Sequence, residues 1–262
     1  YLIFCKEIIK DAQVYLPEFL ENIIEKNIYC LKFIKYPNNQ LPLFNGASEN
    51  LVNQIDEFLF SNGKNEKSED VVGGLHKIKQ KNHLIFFDIG SPPKKNFSKC
   101  YQSGPLSFEY FVDGLKIISN SGFGGNISNK AELLSKLTAC QSTLTLNDTS
   151  VTTFERNKLI NKIFGNSITN TFKTYDINFN NKKNFRLCSA THNGYEKKFG
   201  CIHKREICYD KLNNYIKGND HIFKKKDGIP IRYAFRFHIN PGLSVVKTMG
   251  GNGALIQISK SK

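Results

Sequence analysis

The sequence has 262 residues, 40% of them hydrophobic, enough for one large domain or two smaller ones with a real buried core. Its formal charge of +14 suits a polyanionic partner, either nucleic acid or an acidic polysaccharide. No run reaches the roughly 18 uncharged apolar residues of a membrane-spanning helix, so membrane insertion is not expected.

The basic residues are mostly lysines scattered among Asn and Ile, and tryptophan is absent. No RNA-binding aromatic motif, zinc finger or helix-turn-helix pattern accompanies them, so the charge alone does not make a nucleic-acid partner. The chain opens YLIFCKEIIKDAQ, with charges inside its apolar stretch and no small-residue cleavage site, and this stretch does not read as a signal peptide. Its only methionine is Met249, and the sequence reads as a fragment lacking an N-terminal portion.

Residues 1–60 carry helical periodicity. Pro17 is placed to start a helix in which Phe19, Leu20, Ile23, Ile24, Ile28 and Leu31 recur at three- and four-residue steps. A turn follows, then QLPLFNGASEN, where Ser48 or Asn50 caps a second expected helix with the face Leu51, Ile55, Phe58 and Leu59. Two short amphipathic helices cannot bury their stripes alone, so they read as the tail of a larger helical domain. The polar SNGKNEKSED, residues 61–70, reads as a linker.

The pattern then changes to period two. HLIFFDIG, PLSFEYFV, LKIIS, STLTL, FRLCSAT, HKREICY, YAFRFHI and ALIQIS read as strands between Gly, Asn, Asp and Pro spacers. The fold class is mostly β, a large antiparallel β-sandwich. KAELLSKL, 130–137, is the one expected helical crossing, and GFGGN at 122–126 lacks the lysine of a phosphate loop and reads as a turn.

The seven cysteines form no CxxC pair, which argues against a disulfide framework and a structural zinc site. Most are expected to be small buried hydrophobes. Cys201 and Cys208 are close enough in sequence for a hairpin bridge.

LPLFNGASE (41–49), FFDIGSPP (86–93), SGPLSFEYFVDGLKIISNSG (103–122), STLTLNDTS (142–150), HNGYEKKFGCIHKRE (192–206) and FRFHINPG (235–242) together resemble the C-terminal β domain of the heparinase II/III family of polysaccharide lyases. The resemblance implies an α/α toroid followed by an antiparallel β-sandwich. Residues 1–66 would be the last toroid helices and 67–262 the β domain. It also implies an acidic polysaccharide substrate cleaved by β-elimination and a location in the cell envelope or periplasm. Seven cysteines without a framework fit a reducing compartment, which leaves the cytoplasm open.

Such an elimination requires the uronate carboxylate to be neutralised by Asn, Gln, Arg or His donors before a base removes the weakly acidic C5 proton. A Tyr or His takes that proton and another protonates the leaving oxygen. A tyrosine base needs nearby positive charge to lower its pKa from about 10. The family draws a His and a Tyr of this set from the toroid.

Gln102, Asn120 and Gln141 stand where zinc-bearing relatives carry metal ligands, and glutamine is a poor zinc ligand, so no metal and no cofactor are expected. An amide at Gln141 can donate a hydrogen bond to a carboxylate and cannot shuttle a proton. The candidate catalytic set is His192, Tyr195 and Gln141; the candidate substrate-binding set is Asn45, Gln102, His203, Arg205 and Arg236. His203 and Arg205 share one strand face. Two placements of HNGY and HKRE are open: a groove beside the toroid, or a solvated hairpin. In FRFHINPG, Phe235 and Phe237 are expected in the core, with Arg236 and His238 on the opposite face. Asp88, before Gly90 and two prolines, reads as a turn-former, and Asn45-Gly46 is itself a turn signal.

Overall fold

Helix α1 (Leu2–Asp11) and helix α2 (Glu18–Phe33) open the chain in the computed structural model, which describes residues 1–48, 70–225 and 230–258 apart from the side chains of Lys158 and Phe164. Pro17 caps α2 in extended conformation, where a missing N–H leaves no helical bond unmade, and Glu18 and Glu21 complement the dipole in the first turn. Leu20, Ile24 and Ile28 form its buried stripe and pack with Ile3 and Ile9 of α1. Phe19 and Ile23, one step round the helix, face solvent. The expected helix through Leu51, Ile55, Phe58 and Leu59 lies outside the described residues, as does the linker up to residue 69.

Strands dominate the rest. They are β1 (Val71–Val72), β2 (Leu75–Gln80), β3 (His83–Asp88), β4 (Phe108–Val112) and β5 (Leu115–Ser119). Next come β6 (Leu144–Leu146), β7 (Thr174–Asn181), β8 (Phe185–His192), β9 (Cys201–Asp210) and β10 (Tyr215–Lys224). The last are β11 (Tyr233–Phe235), β12 (His238–Ile239), β13 (Ser244–Lys247) and β14 (Ala254–Gln257). A six-stranded antiparallel sheet, β1-β2-β3-β4-β5-β12, packs on a four-stranded one, β10-β9-β8-β7; β11-β6 and β13-β14 form smaller ladders.

The main core lies between the large sheets: Ile78, Ile85, Phe87, Leu106 and Phe108 meet Cys188, Ala190, Ile207 and Tyr209. Leu84 and Phe86 point the other way and pack with Phe33, Tyr36, Phe44 and Phe111. This double cover explains why HLIFFD shows no polar alternation: every position of β3 is buried. Truncating Phe86 or Phe87 to Ala would cost about 3–5 kcal/mol.

A buried carboxylate ties the post-helical segment to this sheet. Glu109 accepts from Tyr36 Oη at 2.9 Å, Leu43 N–H at 3.1 Å and Asn120 N–H at 2.8 Å, with Lys116 Nζ 3.3 Å away. Segment Leu41–Ser48 is thereby held against β4 and β5.

Several expectations change. The crossing at 130–137 is the helix Asn129–Ser135, capped by Ser128 Oγ, but a second short helix, Lys158–Phe164, was not foreseen. Strands β1, β2, β7, β10 and β13 were not foreseen; of these β7 and β10 are edges of the four-stranded sheet, where polar residues and glycine resemble a loop. YAFRFHI is two strands on different sheets, so alternation breaks between them. Phe235 and Phe237 are therefore 37% and 50% exposed rather than core. Cys201 and Cys208 lie on one strand, roughly 23 Å apart at strand rise, and cannot form a bridge. All seven cysteines are free, and of these only Cys188 and Cys201 are buried.

Candidate functional site

The register of the four-stranded sheet brings the sequence's polar cluster together. His192 on β8 pairs with His203 on β9, and Arg205 on β9 pairs with Asp220 on β10. His203 and Arg205 do share a face, but it is the inward one. His192, His203 and Arg205 are 1%, 1% and 2% exposed, which is not a solvated hairpin. The reason is topological: β8 and β9 are the central strands, covered by the six-stranded sheet. Arg205 and Asp220 do border a cavity of about 490 Å³, together with Phe108, Tyr215 and Phe237.

A directed chain of hydrogen bonds runs through them. Gly194 N–H donates to His192 Nδ1 at 3.1 Å, which puts the proton of a neutral ring on Nε2. That nitrogen meets His203 Nδ1 at 3.1 Å, so His203 carries its own proton on Nε2, 2.6 Å from Asp220 Oδ1. Arg205 donates to Asp220 from Nε at 2.7 Å and Nη2 at 3.1 Å. Its Nη1 donates to the carbonyls of Leu106 and Ser142 at 2.8 and 3.0 Å.

Burial and the neighbouring His203 and Arg205 hold His192 well below the ordinary histidine range. Burial also lowers His203, against the hydrogen bond to Asp220. Burial would raise Asp220, but the His203 hydrogen bond and Arg205 override it and leave Asp220 at about 2. Both rings are therefore neutral and Asp220 is ionised at neutral pH.

Tyr195 is fully buried beside His192, its hydroxyl donating toward the Leu144 and Thr149 carbonyls. Burial pushes its phenol up, the opposite of what a tyrosine base requires.

The glutamines form a second cluster. Gln102 Nε2 donates to the Gly122 and Ser135 carbonyls at 2.9 and 3.1 Å, and its Oε1 accepts from Gly46 N–H at 3.2 Å. Gln141 Nε2 donates to the same Ser135 carbonyl at 2.8 Å. Asn120 Oδ1 accepts from Ser142 N–H at 2.8 Å. Amides already engaged with the backbone do not fit a zinc ion, and no cluster of His, Cys, Asp or Glu with metal-holding geometry occurs among the described residues. The two clusters touch where Arg205 grips Ser142, next to Gln141.

Cavities open on both sides of the 41–48 loop. One, about 450 Å³, is lined by Leu43, Ser48, Asn120 and His238. Asn120 Nδ2 is buried there without a partner among the described residues. The other, about 260 Å³, is lined by Asn45, Asp88, Cys100 and Tyr101. Asn45, exposed at a left-handed turn, accepts from Gln102 N–H at 3.3 Å. Burial pushes Asp88 up to about 7, against the Gly90 N–H that stabilises its anion.

Arg236 stands apart on the β6–β11 side, its Nη2 3.1 Å from Asp148. Asp220 and the buried character of Asp88 escaped the sequence reading. The usable signal for Asp220 was the turn at 211–214, which makes YIKGNDHIFK the antiparallel neighbour of HKREICY.

The family described as Heparinase II/III-like, C-terminal, matches residues 64–262. The fold is similar to the heparan sulfate lyase HepC from Pedobacter heparinus, with TM-score 0.63 and 16% identity over 95% of this chain and 39% of that one. It is also similar to a heparinase III, with TM-score 0.62 and 14% identity over 91% of this chain and 40% of that one. The chain thus spans about two-fifths of the length of these structures. No curated protein matches it significantly.

Proposed function

This chain belongs to the heparinase II/III-like family through its C-terminal domain, and from that premise we propose that it is the glycan-recognition part of a polysaccharide lyase acting on an anionic, uronate-containing chain. The observation that carries the reading is the family match across the β domain, taken with the two cavities that flank the 41–48 loop. Residues 1–66 are read as closing helices of an α/α toroid and 67–262 as the β domain, working in the cell envelope or periplasm. The net charge of +14 favours an anionic glycan by long-range attraction.

The roles divide by exposure. Asn45 faces solvent and suits contact with sugar hydroxyls. Gln102 holds it in place. His192, Tyr195 and His203 are enclosed and bonded, so their contribution is to position the wall rather than to meet the sugar. Arg205 borders a separate cavity, but its guanidinium is already engaged by Asp220 and two carbonyls, so it too is read as a positioning group. In this reading, proton transfer during elimination belongs to groups outside these enclosed residues, and Gln141 supplies only hydrogen bonds.

The full-length protein, given a panel of uronate glycans, should yield unsaturated products with new ultraviolet absorbance. A second reading, a non-catalytic glycan-binding or envelope-structural protein of the same fold, is favoured by the backbone engagement of Gln102 and Gln141. Glycan binding without unsaturated product supports that one; failure to bind any uronate glycan defeats both.

A further inference from the structure

The smaller cavity beside the 41–48 loop has the build of a ligand site. Two close backbone approaches make it: a Cβ on Gly74 would stand 2.7 Å from Gly90 Cα, and one on Gly46 would stand 2.8 Å from Cys100 Cβ. Glycine at both places lets the β1–β2 turn and the 45–46 turn close on segments 88–91 and 100–101. Asp88 lies in the wall, 6% exposed. Its Oδ1 accepts from Gly90 N–H at 3.0 Å, the only hydrogen bond to this carboxyl among the described residues, which leaves Oδ2 for the cavity.

Around it stand neutral groups. Asn45 is exposed at one side, Ser91 Oγ is engaged by Thr174 N–H at 2.9 Å, and Phe97 presents a ring that is 79% exposed. An exposed ring at the mouth of a polar cavity suits the apolar face of a sugar. Among the described lining residues the other titratable groups are Tyr101 and Cys100, and none is a lysine or arginine.

We propose that this cavity binds the carboxylate of an acidic sugar ring through the acid form of Asp88, with Phe97 under the ring and Asn45 at its edge, so that ionising Asp88 releases the ligand. The carboxylate is taken from the uronate reading of the glycan: with no lysine or arginine among the described lining residues, it would be met by neutral hydrogen-bond donors, and a protonated carboxyl is the strongest one among them. Burial supplies the condition, since Asp88 exchanges its proton near pH 7. In the ionised state two carboxylates face each other in a poorly solvated wall and repel. The site rests on the reading of the glycan as uronate-containing.

The test is calorimetric titration of the chain with a uronate-terminated oligosaccharide at pH 5.5, 7 and 8.5, for the wild type and Asp88→Asn. Wild-type affinity should fall by about tenfold per pH unit above 7, as expected for binding linked to one proton. Asp88→Asn keeps a neutral donor and the Gly90 contact, and should bind within about twofold of its own pH 5.5 value throughout. Affinity that ignores pH in the wild type, or falls in parallel in the variant, overturns the Asp88 assignment and leaves the glycan reading standing. Absence of binding by either protein at every pH overturns both. Carbon-13 titration of the wild-type Asp88 carboxyl is independent of the variant's folding: the midpoint should rise when the oligosaccharide is added, and an unmoved midpoint contradicts the site.

Discussion

Arg205 and Asp220 face each other across the β9–β10 ladder and are joined twice, Nε to Oδ1 at 2.7 Å and Nη2 to Oδ2 at 3.1 Å. The remaining guanidinium nitrogen reaches into the opposite sheet system at Leu106 and Ser142. One side chain therefore fixes the four-stranded sheet against the segment that carries Gln141. Asp220→Asn leaves the buried guanidinium uncompensated and should cost about 3–5 kcal/mol, read as a lower urea midpoint. Arg205→Lys should not preserve stability, because an ammonium cannot reproduce the double contact. A loss below about 1 kcal/mol in Asp220→Asn would put the pair among surface ion pairs.

The histidine pair sets a pH dependence with a definite sign. Both folded rings have lowered proton affinity, whereas the unfolded chain takes up protons near pH 6.5. Below that pH the unfolded state binds more protons, so stability should fall as pH drops through about 6.5. Asp220, held at about 2, does not titrate in this window. His192→Gln should flatten the dependence of melting temperature between pH 7.5 and 5.5; an equally steep wild-type and variant profile would show that other groups govern it.

Asp88 works in the other direction. Its folded value of about 7 lies above the ordinary 3.8, so the folded state holds the proton more tightly. The stabilisation is complete below pH 4 and is lost as pH rises toward 7. Asp88→Asn should melt at a higher temperature than the wild type at pH 8, by an equivalent of up to about 4 kcal/mol, and show no gain at pH 4. Equal melting at both pH values would contradict a buried, neutral carboxyl.

Gln102 holds the 41–48 loop through Gly46 N–H while gripping two carbonyls. Gln102→Ala should cost about 1–3 kcal/mol for each backbone group left unsatisfied and accelerate amide exchange at Gly46. Since these amides do the tying themselves, a strong chelator should leave the melting temperature of the wild type unchanged; a clear drop would reveal a structural metal.

The fold was largely legible because β3, β4, β5, β8 and β9 carry long apolar or alternating runs and α2 carries a helical stripe. Sequence failed at β1, β2 and β13, at β7 and β10, whose edge positions tolerate Asn, Asp and Gly, and at Phe235 and Phe237, where one apparent strand changes sheets. Side-chain period showed that His203 and Arg205 share a face; it could not show which face the partner sheet covers. Asp220 was missed for the same reason, since its role exists only once β9 and β10 are in register. The family resemblance, resting on motif order, carried further than any single residue.

The most direct measurement is amide chemical-shift mapping of the chain titrated with a uronate oligosaccharide at moderate salt. Shifts should concentrate at Asn45, Gly46, Ser91 and the 120–122 turn, on the two sides of the 41–48 loop. Shifts confined to lysines on the outer strand faces, or matched by single-stranded nucleic acid at the same salt, would contradict a glycan wall.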